Sequence, residues 1–166
     1  DTVKFVSTNP YRLVVTGRTK HFISAFGEHV IGEEVEYSML KAAEEENIQI
    51  TEYTVAPFVS PDEGKSYHEW FVEFERMPQN IHAFAMKLDH HLREKNSYYD
   101  DLVGGNILTS LKITAVHKNG FIDYMKSIGK LGGQNKVPRL SNDRKIADKL
   151  IAWTVEEAGS TKYDGR

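Results

Sequence analysis

The spacing of apolar and polar residues predicts an alternation of short strands and helices. Strands are expected over residues 3–6 and 11–15, joined by a turn at Asn9-Pro10, and again over residues 21–26. From residue 32 to about residue 47 the apolar positions recur at helical spacing. Glutamates occupy the first turn of this helix, where they favour the helix dipole.

The residue pattern in the middle of the chain predicts a pair of strands. A strand over residues 48–59 and a return strand over 67–75 flank a turn that is rich in Ser, Pro, Asp and Gly. On the return strand, apolar residues alternate with Glu69, Glu73 and Glu75. One face of this strand is therefore expected to be buried, and the glutamate face is expected to be solvated.

The second half of the chain is predicted to hold helices around one further strand. The helices are expected at residues 81–92, at 119–128 and from Ser141, which can act as an N-cap, onward. The strand is expected at about 108–117, after a polar connecting stretch at 96–101. With neighbouring strands of hairpin type, this order indicates an α+β fold, a mixed or antiparallel sheet flanked by helices.

Composition is that of a globular domain and argues against several partners. Hydrophobic residues make up 40% of the 166 residues and charged residues 27%. The net charge of −3 gives no general attraction to nucleic acid or to anionic membranes. No apolar run approaches the roughly 20 residues of a membrane-spanning helix, so we predict neither a nucleic-acid nor a membrane partner. Because the chain has no cysteine, disulfides and thiolate chemistry are excluded. For the same reason, cysteine content does not indicate in which compartment the protein resides.

Residues 17–20, Gly-Arg-Thr-Lys, lie between two predicted strands and can be interpreted in two ways. A domain that rotates as a lid needs one short piece of backbone that changes its dihedral angles while both sides stay rigid. Gly17, Arg18 and Lys20 meet that requirement. The alternative is a surface hairpin whose basic side chains are solvated.

A glycine-rich basic loop spans residues 129–140. Its glycines let backbone amides approach a ligand closely, and Lys130, Lys136 and Arg139 could neutralise a phosphate. The alternative is a flexible basic surface loop, since neither a Walker pattern nor a dinucleotide-binding pattern is present.

The histidines do not form a metal-binding pattern. His82, His90 and His91 share a predicted helix, but no two of them are three or four residues apart, the spacing a helical zinc pair requires. We therefore predict no metal site and interpret these histidines as surface and interface side chains.

Two segments carry a family resemblance. Residues 17–36 resemble the hinge segment of adenylate-forming enzymes of the firefly-luciferase and acyl-CoA synthetase superfamily, in which the position of Lys20 is the hinge residue. Nearly the whole chain resembles the C-terminal domain of the auxin-responsive Gretchen Hagen family of acyl-acid amido synthetases, in its bacterial branch. The strongest element is Gly-Gly-Gln-Asn-Lys-Val-Pro-Arg at residues 132–139, supported by His-Glu-Trp at 68–70.

The resemblance implies a division of the chain. Residues 1–16 would be end strands of a missing N-terminal domain, 17–20 the hinge, 21–159 the C-terminal lid domain and 160–166 a tail. A chain that starts at Asp1 rather than Met is also expected to be cut from a longer one. The resemblance further implies a cytoplasmic enzyme.

The same resemblance implies an activity. The parent enzyme would adenylate a small carboxylic acid with ATP and Mg²⁺ and transfer the acyl group to an amine, typically an amino acid. Its own N-terminal domain would be the lid's partner and would hold most of the ATP and Mg²⁺ contacts, so the isolated chain is expected to be inactive. Lys136 would be the catalytic lysine, binding nucleotide phosphate together with Lys130 and Arg139.

One element departs from the family pattern. Plant members carry Asp-Lys-Thr just after the hinge strand, where this chain has Gly-Glu-His-Val at residues 27–30. A hinge-side lysine is therefore unsupported here, unless His29 or Lys20 substitutes for it. Two alternatives remain: a stand-alone, non-catalytic module that binds a nucleotide or a protein through the glycine-rich loop, and a thioester-forming coenzyme A ligase with the same lid.

Overall fold

The chain has an α+β fold, as predicted, in a computed structural model that describes residues 2–17, 22–59, 64–132 and 135–155. The strands are β1 (Thr2–Thr8), β2 (Tyr11–Gly17), β3 (Phe22–Ile23), β4 (Val30–Ile31), β5 (Ile50–Phe58), β6 (Tyr67–Phe74) and β7 (Lys112–Val116). The helices are α1 (Gly32–Glu46), α2 (Ile81–Lys95), α3 (Ser97–Gly104), α4 (Gly120–Ser127) and α5 (Lys145–Leu150), and a single 3-10 turn follows at Ile151–Trp153.

The central sheet is mixed, with the order β5-β6-β7. Strands β5 and β6 are antiparallel, whereas β6 and β7 are parallel, because the connection between them passes through α2 and α3. The end of the glycine-rich loop runs beside β5 on its other edge, where Leu140 pairs in parallel with Val55. Strand β6 is thus the middle strand and is covered on both faces.

Two separate apolar clusters explain why β6 is buried on both sides. Residues of α1, α2 and α3 pack with Trp70 and Val72 on one face, and residues of α4 and α5 pack with Phe71 on the other. The prediction of a solvated glutamate face was therefore wrong for Glu69 and Glu73. Antiparallel strands often leave one face wet, but here the second helical layer comes from a part of the chain about fifty residues further on.

Two glutamates of β6, the buried Glu73 and the half-buried Glu69, are satisfied by hydrogen bonds. Glu73 is 3% exposed and accepts the backbone N–H groups of Asn119 at 2.7 Å and Phe121 at 3.2 Å. Glu69 accepts from the Thr114 hydroxyl at 2.6 Å and from the Arg144 guanidinium at 2.8 Å. Buried carboxylates are tolerated when they are paired and hydrogen-bonded in this way.

Three local predictions are also corrected. The polar stretch at 96–101 lies largely in α3, because the Asn96 side chain accepts the Tyr99 N–H at 2.8 Å as an N-cap. The last helix begins at Lys145 and not at Ser141, whose N–H instead donates to the Val55 carbonyl at 2.9 Å. The strand expected over 21–26 ends at Ile23, where the chain turns back to pair as β4.

The opening strands β1 and β2 form a two-stranded sheet of their own. Val3 lies opposite Val15 and Phe5 opposite Leu13, so one face of this hairpin is apolar. That face is open to solvent in this structure: Phe5 is 60% exposed and Leu13 is 55% exposed. A contiguous exposed apolar face of this kind marks a contact surface.

Candidate functional site

A cleft of about 270 Å³ lies between the start of β5, helix α4 and the glycine-rich loop. Its apolar lining is formed by Phe121, Ile122, Met125, Leu131 and Val137. Lys130 and Lys136 line the same cleft, and both are exposed. The fold thus brings two of the three predicted phosphate-binding residues to one concave surface.

The turn that follows α4 places Lys130. Gly129 has a φ of 68°, a left-handed conformation that glycine adopts without strain and that commonly ends a helix. The Lys130 N–H donates to the Met125 carbonyl at 3.0 Å and closes this turn. Further along, Gly132 has a φ of 89°, and the Asn135 side-chain amide donates to its carbonyl at 3.2 Å. These bonds shape the loop on both sides of residues 133–134, which lie outside the described part of the chain.

The backbone is fixed immediately after Lys136. Val137 is buried, the Thr54 hydroxyl donates to the Pro138 carbonyl at 2.6 Å, and the Val55 N–H donates to the Arg139 carbonyl at 2.9 Å. Lys136 is therefore an exposed lysine next to a backbone that is tied to the central sheet. This attachment fixes the position of the backbone from which the Lys136 side chain extends.

Arg139 is engaged with protein side chains. Its guanidinium pairs with the Glu52 carboxylate and lies 3.8 Å from the Glu36 carboxylate. It also stacks over the Tyr53 ring, 4.4 Å from the ring centroid. Burial lowers the pKa of Arg139, and the Glu36 carboxylate acts in the opposite direction. Two carboxylates therefore balance the charge of Arg139 on the protein itself, and its role at a phosphate stays a prediction.

The N-terminus of α4 is already occupied by a carboxylate. A helix N-terminus can hold an anion, but here the Glu73 carboxylate accepts the Asn119 and Phe121 N–H groups that a ligand would need. The positive charge of the cleft consequently comes from its lysines. Nothing in the local sequence around Glu73 indicates this pairing, because its partners lie more than forty residues away.

The segment after the predicted hinge is held to the domain core by a buried pair that sequence reasoning missed. The Glu28 and His68 side chains are both 0% exposed, and Glu28 Oε1 lies 2.8 Å from His68 Nε2. Glu28 Oε2 accepts the Phe26 N–H at 2.8 Å. Of the predicted hinge residues, Gly17 ends β2, whereas Arg18 and Lys20 lie outside the described ranges.

Potential metal ligands and helix lengths in the described ranges bear on metal and membrane sites. There, no group of three or more His, Asp and Glu side chains could hold a metal ion. His91 is buried between α1 and α2, with Nε2 2.8 Å from Glu45 and Nδ1 3.1 Å from Glu94. Within the same ranges, no helix has the length and apolarity to span a bilayer.

The sequence profile of the GH3 family C-terminal domain matches residues 33–145, which is more than half of the chain. The chain belongs to this family. The matched residues include all but the first residue of α1, the whole central sheet and the glycine-rich loop, so the cleft lies within the GH3 C-terminal domain. The expected resemblance to the C-terminal domain of this family is thereby confirmed.

Solved structures share the fold. A GH3.15 acyl acid amido synthetase superposes with a TM-score of 0.69 at 15% sequence identity, over 87% of this chain and 28% of that protein. An AtGH3.15 acyl acid amido synthetase in complex with 2,4-DB superposes with a TM-score of 0.70 at 14% identity, over 92% of this chain and 29% of that protein. This chain therefore spans less than a third of the length of the structures it matches. No curated protein matches its sequence significantly.

Proposed function

We propose that this GH3 C-terminal domain is the lid of an ATP-dependent acyl-acid amido synthetase of bacterial type. The parent enzyme adenylates a small carboxylic acid and passes the acyl group to an amine, typically an amino acid. The observation that carries the proposal is the position of Lys136, exposed at a cleft with Lys130 and followed by a backbone that is hydrogen-bonded to β5. A flexible surface loop would not require that attachment.

The cleft suits part of a nucleotide. Two lysine ammonium groups supply positive charge for phosphate oxygens, and apolar side chains line the cleft beside them. ATP would meet Lys136 and Lys130 as the lid closes, while most of its contacts and those of Mg²⁺ belong to the N-terminal domain. In this arrangement Lys136 is the catalytic residue, because it stabilises charge on the reacting phosphates.

The domain limits follow from the same proposal. Residues 1–16 belong with the N-terminal domain, 17–20 are the hinge, 21–159 form the lid and 160–166 are a tail. The exposed apolar face of β1 and β2 supports this division, because an N-terminal domain would cover it. The isolated chain is accordingly inactive, and the whole enzyme is cytoplasmic.

The uncovered hairpin leads to a prediction about the isolated 166-residue chain. We expect it to self-associate through Phe5 and Leu13, since each buried apolar side chain contributes about 1.5–3 kcal/mol. Changing both to serine should weaken self-association about 100-fold or more. Sedimentation velocity over a range of concentrations measures this. Leu40→Ser on the exposed side of α1 is the matched control and should change nothing; a wild-type chain that stays monomeric throughout would contradict the prediction.

The proposed activity is tested by ATP–pyrophosphate exchange with the complete protein, over a panel of aryl and alkyl carboxylic acids. Exchange that depends on one acid establishes adenylation and identifies the acid. Amide formation with an amino acid, and no thioester with coenzyme A, then identifies the second half-reaction. A folded complete protein that shows no exchange with any acid would instead favour a non-catalytic binding module.

A further inference from the structure

His29 occupies a backbone conformation that L-residues rarely adopt. It lies in the turn between β3 and β4 with a φ of 47°, in the left-handed region. Its neighbours Glu28 and Val30 are both 0% exposed, whereas His29 itself is exposed. The turn therefore carries one outward-directed imidazole between two buried residues. A non-glycine residue held in this region is a reason to look for a function.

The surrounding contacts keep this imidazole in place. Glu28 is hydrogen-bonded to His68 at 2.8 Å and to the Phe26 N–H at 2.8 Å, so the backbone on one side of His29 is fixed in the core. On the other side, Val30 pairs with Ile23. The His29 ring stacks on Phe22 with 6.1 Å between ring centroids and 28° between ring planes. The imidazole is thus pre-positioned while its edge stays open to solvent.

Chain connectivity places His29 close to the proposed hinge. Its stacking partner Phe22 lies two residues after Lys20, and two extended residues span at most about 7 Å. The imidazole consequently lies near the point where the chain enters the lid and where the N-terminal domain must approach. The Ser24 N–H, in the same turn, donates to Asn142 Oδ1 at 2.9 Å and links this turn to the segment after the glycine-rich loop.

The proposed reaction needs a proton acceptor. An amino acid reaches the active site mainly as an ammonium ion, which has no free electron pair for attack. Histidine is the side chain best suited to accept a proton near neutral pH. We propose that His29 is the general base that deprotonates the attacking amine; this inference rests on the proposed amido synthetase function.

The proposed transfer begins with deprotonation of the amine. The ammonium transfers one proton to an imidazole nitrogen of His29, and the free amine attacks the carbonyl carbon of the acyl-adenylate. As the C–N bond forms, the bond between that carbon and the phosphate oxygen breaks, and AMP leaves with its electron pair. The nitrogen then loses its second proton to solvent water, and the imidazolium returns its proton when the lid reopens.

The test uses His29→Asn in the complete protein, because asparagine tolerates the left-handed conformation but cannot act as a base. Transfer to the amino acid should fall about 100-fold, while acid-dependent ATP–pyrophosphate exchange continues. Hydroxylamine, which is already unprotonated near neutral pH, should still be acylated at close to the wild-type rate. His90→Asn, at an exposed histidine on α2, is the matched control and should keep both transfer rates.

The outcomes separate this inference from the function on which it rests. Equal loss of transfer to the amino acid and to hydroxylamine would mean that His29 only supports lid closure, and this would overturn the proposal. Unchanged transfer to the amino acid would overturn it too. Absence of exchange in the wild-type protein would instead remove the amido synthetase function itself. His29→Gly, which relieves the backbone entirely, should reproduce the loss seen with asparagine.

Discussion

In the complete protein, Lys136→Ala is expected to slow adenylation about 100- to 1,000-fold, the usual effect of removing one pre-positioned group that stabilises charge in the transition state. The fold should be unaffected, because the Lys136 side chain is exposed and surface substitutions typically change stability by less than about 0.5 kcal/mol. The buried Val137 and the Pro138 carbonyl, which anchor the backbone, are left unchanged.

Acid-dependent ATP–pyrophosphate exchange measures this effect directly. Lys126→Ala is the matched control, since Lys126 is an exposed lysine on nearby α4 whose ammonium pairs with Asp123 at 3.3 Å. The control should keep the wild-type rate. Lys136→Arg, which keeps the charge but changes its geometry, should fall between the two. Near-normal exchange in a folded Lys136→Ala protein would remove Lys136 from the mechanism.

The second large effect is expected for stability. Glu28→Ala should destabilise the domain by about 3–5 kcal/mol, the usual cost of removing one partner of a buried pair. His68 Nδ1 already lacks a hydrogen-bond partner among the described residues, so the substitution leaves both ring nitrogens unsatisfied. Because domains are stable by only about 5–15 kcal/mol, Glu28→Gln, which retains an acceptor for His68, provides a milder variant.

The effect of Glu28 should depend on pH. Burial alone would raise the pKa of Glu28, but hydrogen bonds from His68 and from the backbone outweigh it, so its pKa lies below the ordinary value. A depressed pKa means that the carboxylate stabilises the fold fully above the ordinary glutamate pKa of about 4.3. This stabilisation is lost as the pH falls through the lower, folded-state value.

Urea unfolding of the wild-type and variant domains at neutral and acidic pH measures the loss of unfolding free energy and its dependence on pH. The stability difference should be constant near neutral pH and should shrink in acid. Glu33→Ala, an exposed glutamate in the first turn of α1, is the control and should cost little at either pH. A cost no larger than that of the control, or a difference that does not change with pH, would contradict the expected role of Glu28.

The local spacing of apolar residues was enough to predict most of the helices and strands. The helix predicted from residue 32 to about 47 is α1, and the strands expected at 48–59 and 67–75 are β5 and β6. These predictions succeed because helical and strand periodicity depends on neighbours within a few residues. The glycine-rich loop was recognised for the same reason, because residues 132–139, which carry its family resemblance, are contiguous in sequence.

Only the tertiary structure decided which charged residues are free. Glu73, Glu69 and Arg139 resemble solvated surface residues in sequence, yet each is bound to a partner from 45 to 87 positions away. Periodicity cannot register such a pairing, because it depends on which layer of helices covers the strand. By contrast, Lys130 and Lys136 were chosen from the sequence, and the fold brings them to one cleft.

The segment after the proposed hinge shows the same difference between what the sequence determines and what the tertiary structure decides. The sequence by itself determined that residues 27–30 read Gly-Glu-His-Val, a departure from the pattern that the family resemblance led us to expect. It could not determine that Glu28 is buried against His68, forty positions away, or that His29 is consequently turned outward. Residue types and family follow from local chemistry, whereas the burial of a polar side chain is decided by the distant residue that satisfies its hydrogen bonds.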